Sequence, residues 1–335
     1  MGGTALLAKA GIESQRLTLE EFERVKSEVH AILDELGIRY LDVQFIREKK
    51  DFGDIDIIVI DDRDPDTIPD NNNTPMKIVL DNIHKFGITH ELYINNNPFA
   101  SILYESKYQV DFITVKPEEA AYTQAYLSHN DLGNLLGRQV KRFNVTHGMD
   151  GLWYDHYMND RTHRTRFLLS RDPYEILRIL GLDAEKFKAG FDTYEEMFDY
   201  VQSSKYFNPE IFKFENLNNR NRVRDKKRKV YNQFLQYINY DVTNDLVYNP
   251  VDDYPWIPAR CEEYTAEWHR RAAIRAAVPG PVVMARTGLQ GKELGSLIGH
   301  IRETYQDALI GITEDALNEV IDTSYAAWQG LRNDH

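Results

Sequence analysis

The feature that most constrains this chain is the segment Gly53-Asp54-Ile55-Asp56-Ile57-Ile58-Val59-Ile60. Side chains alternate between the two faces of a β-strand, so Asp54 and Asp56 share one face while Ile55, Ile57 and Val59 line the other. Two carboxylates side by side at the start of a buried strand repel each other and resist desolvation unless a cation compensates them. Mg²⁺ is the natural cation, because it takes oxygen ligands while keeping waters and phosphates in its shell. A second apolar strand, Tyr108–Val115, carries a single acid, Asp111, and that strand is well placed in sequence to bring a third carboxylate to the same cation site.

The surrounding pattern supplies a frame for those strands. Residues 18–36 read as an amphipathic helix, opened by a Thr18/Glu21 capping box and closed by Gly37, with Phe22, Val25, Val29, Ile32, Leu33 and Leu36 at helical spacing. Residues 39–46 read as a strand, Asp61–Thr74 as a polar loop, Met76–Phe86 as a helix, and Ala100–Tyr104 and Tyr108–Val115 as further strands. This order predicts an α+β fold: a small mixed sheet with helices on one face, followed by a mainly helical C-terminal region. Glu118–Tyr126, Asp131–Phe143, Thr193–Val201 and Arg222–Tyr240 carry helical patterns. Asp172–Leu180 is punctuated as a helix by Asp172 at the N-cap, Pro173 at the first helical position, Glu175 completing a capping box, and Gly181 at the end. Pro250, Pro255 and Pro258 mark residues 241–260 as the best linker, and two helices follow, one along Leu294, Leu297, Ile298, Ile301 and Tyr305, the other beginning at Thr313. The expected division is residues 1–116, 117–183 and 184–335.

Composition narrows the class. A hydrophobic share of 42% is enough for a normal buried core, and the best apolar run, Ala272–Ala285, is broken by Arg275, Pro279, Gly280 and Pro281, so no membrane span is expected. The single cysteine, Cys261, excludes an internal disulfide framework and zinc–cysteine clusters, and with no leader pattern the expected location is cytoplasmic. A net charge of −13 argues against unspecific coating of nucleic acid, yet the run Arg220 to Lys229 holds seven basic residues, Arg220, Arg222, Arg224, Lys226, Lys227, Arg228 and Lys229, against one acid. That run is the candidate nucleic-acid-binding face.

Several of these segments together resemble the DNA polymerase beta nucleotidyltransferase superfamily, in particular its family X polymerases. Arg47 to Val59 is similar to the catalytic strand, and Tyr108-Gln109-Val110-Asp111 resembles the strand bearing the third metal ligand. Tyr126–Tyr154 resembles the start of the thumb, and Leu169-Ser170-Arg171-Asp172-Pro173-Tyr174-Glu175-Ile176-Leu177 its later helix. The resemblance implies a palm in which Asp54, Asp56 and Asp111 hold Mg²⁺ or Mn²⁺, with nucleotide contacts at Gln44, Arg47, Lys49, Lys50 and Gly53. It implies transfer of NMP from an NTP to a nucleic-acid 3′-hydroxyl by a two-metal mechanism. There is one departure: Val43-Gln44 stand, by spacing, where the superfamily usually has Gly-Ser, and they cannot reproduce the close backbone approach of glycine. With about 17 residues before the first expected helix, neither an N-terminal lyase domain nor a base-excision repair role is expected. Further on, residues from about Gly288 to Glu303, where Gly291-Lys292-Glu293-Leu294-Gly295 opens a helix, are similar to the tail of tRNA nucleotidyltransferases and bacterial poly(A) polymerases, and tilt the expected acceptor towards RNA. Two alternatives stand beside this reading: a family X-like DNA polymerase without a lyase domain, and an inactive palm kept as a binding or assembly module.

Overall fold

The computed structural model describes residues 6–7, 11, 13–63, 74–88, 93–96, 98–157, 164–238 and 256–333. They fall into two compact units, one of residues 1–155 and 166–250 and the other of residues 156–165 and 251–335. The division after Pro250 lies within the proline-bearing segment. Most of that segment, like residues 64–73 of the acidic loop, lies outside the described residues.

The first unit opens with a short strand β1 (Leu17–Thr18) and helix α1 (Leu19–Glu35). Thr18 Oγ1 accepts from Glu21 N, and the Glu21 carboxylate returns the bond to Thr18 N, which satisfies orphan donors at the helix start. Gly37 follows in the left-handed conformation at φ 68°. Strand β2 (Tyr40–Asp42) is shorter than the expected 39–46. The chain turns away because Gln44 N donates to Ser128 Oγ (3.2 Å) and Ile46 N to Asn130 Oδ1 (3.4 Å) instead of to a neighbouring strand. After β3 (Asp51–Phe52) and β4 (Asp54–Ile60) come helix α2 (Pro75–Asp81) with a 3₁₀ turn, then β5 (Tyr93–Asn96), β6 (Phe99–Tyr104) and β7 (Tyr108–Val115).

The main sheet has the order β2-β4-β7-β6-β5, with β4 and β7 parallel and the other pairs antiparallel, so it is mixed as expected. Ile55, Ile57, Val59, Val110 and Phe112 point to one face and pack under Phe22, Val25, Val29 and Leu33 of α1 and Val79 of α2. The expectation of helices on one face only is corrected. Helix α3 (Pro117–Leu127) covers the other face, but only its far half, where Ala120 meets Ile58, Ile60, Ile113 and Val115. The near half of that face carries the acids.

The chain continues with α4 (Leu132–Val140), a three-stranded sheet of β8 (Val145–Gly148), β9 (Gly151–Tyr157) and β10 (Arg164–Ser170) in the order β10-β9-β8, of which residues 156–157 and 164–165 are counted with the second unit, and helices α5 (Glu175–Leu180), α6 (Ala184–Ala189), α7 (Tyr194–Gln202), α8 (Asn219–Asp225) and α9 (Lys229–Tyr237). Two sequence expectations change here. Helix α5 starts at Glu175 rather than at Asp172, because Asp172 Oδ1 accepts from Tyr174 N (2.9 Å) and closes a turn before the helix. The single helix expected over 222–240 is two helices, separated where the Asp225 side chain, fully buried, gathers Arg138, Arg224 and Arg228.

The second unit contains α10 (Trp256–Ala277), α11 (Gly280–Thr287), α12 (Gly291–Tyr305) and α13 (Glu314–Asn333). Their core gathers Val278, Val283, Leu297, Ile301, Leu309 and Ile321, with Tyr325 and Trp328 packed against it. The two aromatics therefore serve the core, as helical periodicity suggests. The chain is α+β as expected, and among the described residues no helix is long and apolar enough to cross a membrane.

Candidate metal centre and its cleft

Strand pairing builds the centre. Parallel register sets Asp56 opposite Asp111 across β4 and β7, and antiparallel register sets Ser101 of β6 opposite Asp111 on its other side. Asp54 is two residues before Asp56 and so on the same face. Carboxylate oxygens of Asp54, Asp56 and Asp111 lie within 4.8 Å of one another, and each residue is half-buried. The three-acid cluster expected from the sequence is thus assembled in space.

Its electrostatics are those of a site built around positive charge. Burial, and then the nearby Asp54 and Asp111 carboxylates, push the Asp56 carboxyl well above the usual range, against a smaller opposing effect of Lys49. Burial and Asp54 push Asp111 up to about 6, although Ser101 and Gln109 donate to it and hold it down. Without a cation Asp56 and Asp111 are therefore pushed towards protonation. A bound cation removes that penalty, because it interacts favourably with the ionised form of every member. The donor set is all oxygen and hard, which suits a divalent cation of the Mg²⁺ kind over a thiolate- or imidazole-seeking metal. These three residues are able to hold a metal ion.

One supporting residue was not singled out from the sequence. Gln109 is buried, and its Nε2 donates to both Asp111 oxygens at 2.9 Å, while its Oε1 accepts from Leu6 N at 3.4 Å. The signal was present, since Gln109 lies two residues before Asp111 in a strand and must share its face. A neutral amide fixes the carboxylate without adding a charge that would compete with a cation.

Asp54 and Asp56 open into a cleft of about 670 Å³, while Asp111 is not among the residues that line it. Gln44, Lys49, Lys50 and Gly53 line it, as the sequence reading expected, together with Asn130, Asp131, Tyr194 and Gln233. Lys49 Nζ lies 4.6 Å from the Phe52 ring, and burial pushes its ammonium below the usual range while Asp54 and Asp56 pull it back up. Arg47 is not brought there. It pairs with Asp192, and its Nη1 donates to Ala189 O at 2.8 Å, which pins its loop to the α6–α7 turn.

The basic run is also divided by the fold. Of its seven cations, Arg228 and Lys229 line the cleft. Arg228 pairs with Asp131, Arg224 bonds Asp225 (2.8 Å) and Asn134 Oδ1 (2.5 Å), and Arg222 Nη2 donates to Leu217 O (2.9 Å). Lys226 lies 5.7 Å from the Phe214 ring; Arg220 and Lys227 are exposed. Arg220, Arg224, Lys226, Lys227 and Lys229 of the run are exposed, and Arg222 and Arg228 are half-buried. Likewise Arg270 and Arg271 in α10 are paired with Glu267, and Arg270 also with Asp307. Cys261 lies in α10, and its side chain is outside the described residues.

No protein-family model matches the chain, and no curated protein matches it in sequence. What the site can do therefore rests on its own geometry.

Proposed function

We propose that the chain is a nucleotidyltransferase that moves NMP from an NTP to a nucleic-acid 3′-hydroxyl, with an RNA end as the favoured acceptor. The observation that carries this reading is the convergence of Asp54, Asp56 and Asp111, the first two on the wall of a cleft that Lys49, Lys50, Arg228 and Lys229 also line. An acid cluster beside a basic wall suits a substrate that is itself polyanionic and metal-bound, which is the character of a nucleoside triphosphate.

In this reading Asp54, Asp56 and Asp111 hold Mg²⁺ or Mn²⁺. When bound, the metal lowers the proton affinity of the attacking hydroxyl and spreads the charge of the triphosphate. The chain's own residues do the positioning. Gln109 and Ser101 keep Asp111 in one orientation. Lys49 and Lys50, on the loop before β4, offer positive charge to phosphate oxygens. Tyr194 and Gln233, across the cleft, offer a ring face and an amide to a base. The Val43-Gln44 departure is supported on its backbone: Gln44 O accepts from His129 N at 2.8 Å, so the loop is held in place without a glycine there. The preference for RNA rests on the resemblance of residues 288–303 alone.

The test is extension of labelled 3′-hydroxyl oligonucleotides of RNA and DNA, with each NTP and dNTP in Mg²⁺ or Mn²⁺, beside an Asp54→Ala, Asp56→Ala control. Extension that the control abolishes supports the transferase, and the preferred sugar assigns RNA or DNA. If nothing is extended and calorimetry finds no Mg²⁺-dependent ATP binding, the inactive palm replaces it.

A further inference from the structure

The sheet β10-β9-β8 has an unequal pair of faces. Val145, Leu152, Tyr154 and Phe167 are buried on one side. The alternate residues Thr146, Trp153, Asp155, Arg166 and Leu168 point the other way, and Leu168 is 38% exposed. This outer face is both basic and aromatic. The Arg166 guanidinium lies 4.8 Å from the Trp153 ring, and Lys141 reaches over the strand to Asp155 (2.7 Å) and Thr146 (2.8 Å). Next to Lys141 in the chain, Arg142 packs on Phe143 (4.9 Å) and Tyr206 (5.1 Å), and Lys205 lies 4.8 Å from the Tyr206 ring. Of the acids near this face Asp155 is fully buried and Asp150 half-buried, and the cations Lys141, Arg142, Arg166 and Lys205 outnumber them in a chain of net charge −13.

One donor on this face lacks an acceptor. The Trp153 indole N–H is buried without a hydrogen-bond partner among the described residues, whereas Arg166 Nε faces Asp155 Oδ1 at 3.5 Å. A buried unpaired donor costs free energy, and a ligand rich in acceptor oxygens relieves that cost. Cations that track a backbone, interleaved with rings and a guanidinium plane on which bases stack, are what a single-stranded nucleic acid requires.

We propose that this outer face binds single-stranded RNA, with Arg166 on Trp153 as a base-stacking platform and Lys141, Arg142 and Lys205 meeting phosphates. The proposal rests on the transferase reading for its choice of RNA, since the strand held here is the body of the acceptor whose 3′ end reaches the acids. The surface gives the protein a grip on a polyanion that its net charge would otherwise repel, and it lies on a different element from the basic run that the fold has divided.

The experiment is fluorescence anisotropy of a 5′-labelled oligouridylate twelve nucleotides long, without Mg²⁺ or NTP, so that it reads the surface whether or not transfer occurs. Trp153→Leu removes the ring and its N–H while keeping apolar cover; Lys141→Gln removes the charge while keeping a donor for Asp155. Trp153→Leu is expected to weaken binding roughly tenfold. Lys141→Gln is expected to flatten the dependence of log affinity on log salt by about 0.7, one phosphate contact on a single strand. In extension assays both variants are expected to raise KM for a long acceptor and leave kcat unchanged. Wild-type protein that binds no oligouridylate, or variants that bind with the wild-type affinity and salt slope, would overturn the proposal. Binding that depends on Trp153 in a protein that extends nothing keeps this surface and removes the transferase reading. Extension with KM unmoved in both variants does the reverse.

Discussion

Replacing Asp225 by asparagine tests whether the basic run is a solvated face or part of the framework. The Asp225 side chain is fully buried and has three guanidinium neighbours, Arg138, Arg224 (2.8 Å) and Arg228 (3.9 Å). They do not lose equally. Arg224 is 46% exposed and returns to water, and Arg228 keeps Asp131. Arg138 is 11% exposed and keeps only the Tyr231 ring, 5.9 Å away, so one buried charge is left uncompensated. Breaking a buried pair in this way costs about 3–5 kcal/mol, and one stranded charge places Asp225→Asn near the lower end, about 3 kcal/mol. Urea denaturation followed by circular dichroism measures it. Adding Arg138→Met is expected to recover most of the loss, because an apolar side chain of similar length no longer needs a counter-charge. A loss below about 1 kcal/mol, the usual contribution of an exposed pair, would refute the reasoning and return Arg220–Lys229 to a solvated face.

Three further outcomes are expected. Asp56→Asn should raise the melting temperature of metal-free protein, because it relieves repulsion with Asp54 and Asp111, and should abolish any further rise on adding Mg²⁺; in the extension assay it should lower the rate about a hundredfold or more. Gln109→Leu removes both hydrogen bonds from Gln109 to Asp111, leaving that from Ser101, and should raise the Mg²⁺ concentration for half-maximal extension by about 10–100-fold with a smaller effect on kcat at saturating metal, read from a magnesium titration. His129, 1% exposed between Phe187 and Phe191, has its imidazole pushed from 6.5 down to about 4 by burial, with Arg47 adding to it. The unfolded chain then binds the proton first, so this contribution is complete above pH 6.5 and is lost as pH falls towards 4, by about 3 kcal/mol; His129→Asn, which tolerates the positive φ of 58°, should flatten that part of the stability–pH curve.

What was legible in the sequence was whatever depends on neighbours along the chain. The Thr18–Glu21 box, the Gly37 and Gly181 stops and the alternation in Asp54–Ile60 are local matters, and each reads directly into the fold. Asp111 was legible for another reason: a lone acid in an apolar strand has few affordable positions, and facing a cation site is one of them. What escaped depends on partners distant in sequence. The strand expected over 39–46 stops at Asp42 because Ser128, His129 and Asn130 take the next backbone groups. The helix expected over 222–240 breaks because Asp225 is needed by Arg138, 87 residues earlier. Arg47 looked like a phosphate ligand by its place near Lys49, and Asp192, 145 residues on, turned it aside.

The same physics sorts useful cations from structural ones. A guanidinium recruited by a buried carboxylate is held by a fork of hydrogen bonds and is costly to withdraw, so Arg138, 11% exposed beside the buried Asp225, cannot also be a group that grips a mobile polyanion. Lys49 and Lys50 on the cleft wall, and Lys141, half-exposed above Asp155, are ammonium groups on flexible stems that can exchange one partner for another. Mapping function from a basic run therefore overstates it wherever buried acids lie within reach. In this chain Arg138 and Arg47 fasten elements together, whereas Lys49 and Lys50 stand beside the acids of the cleft.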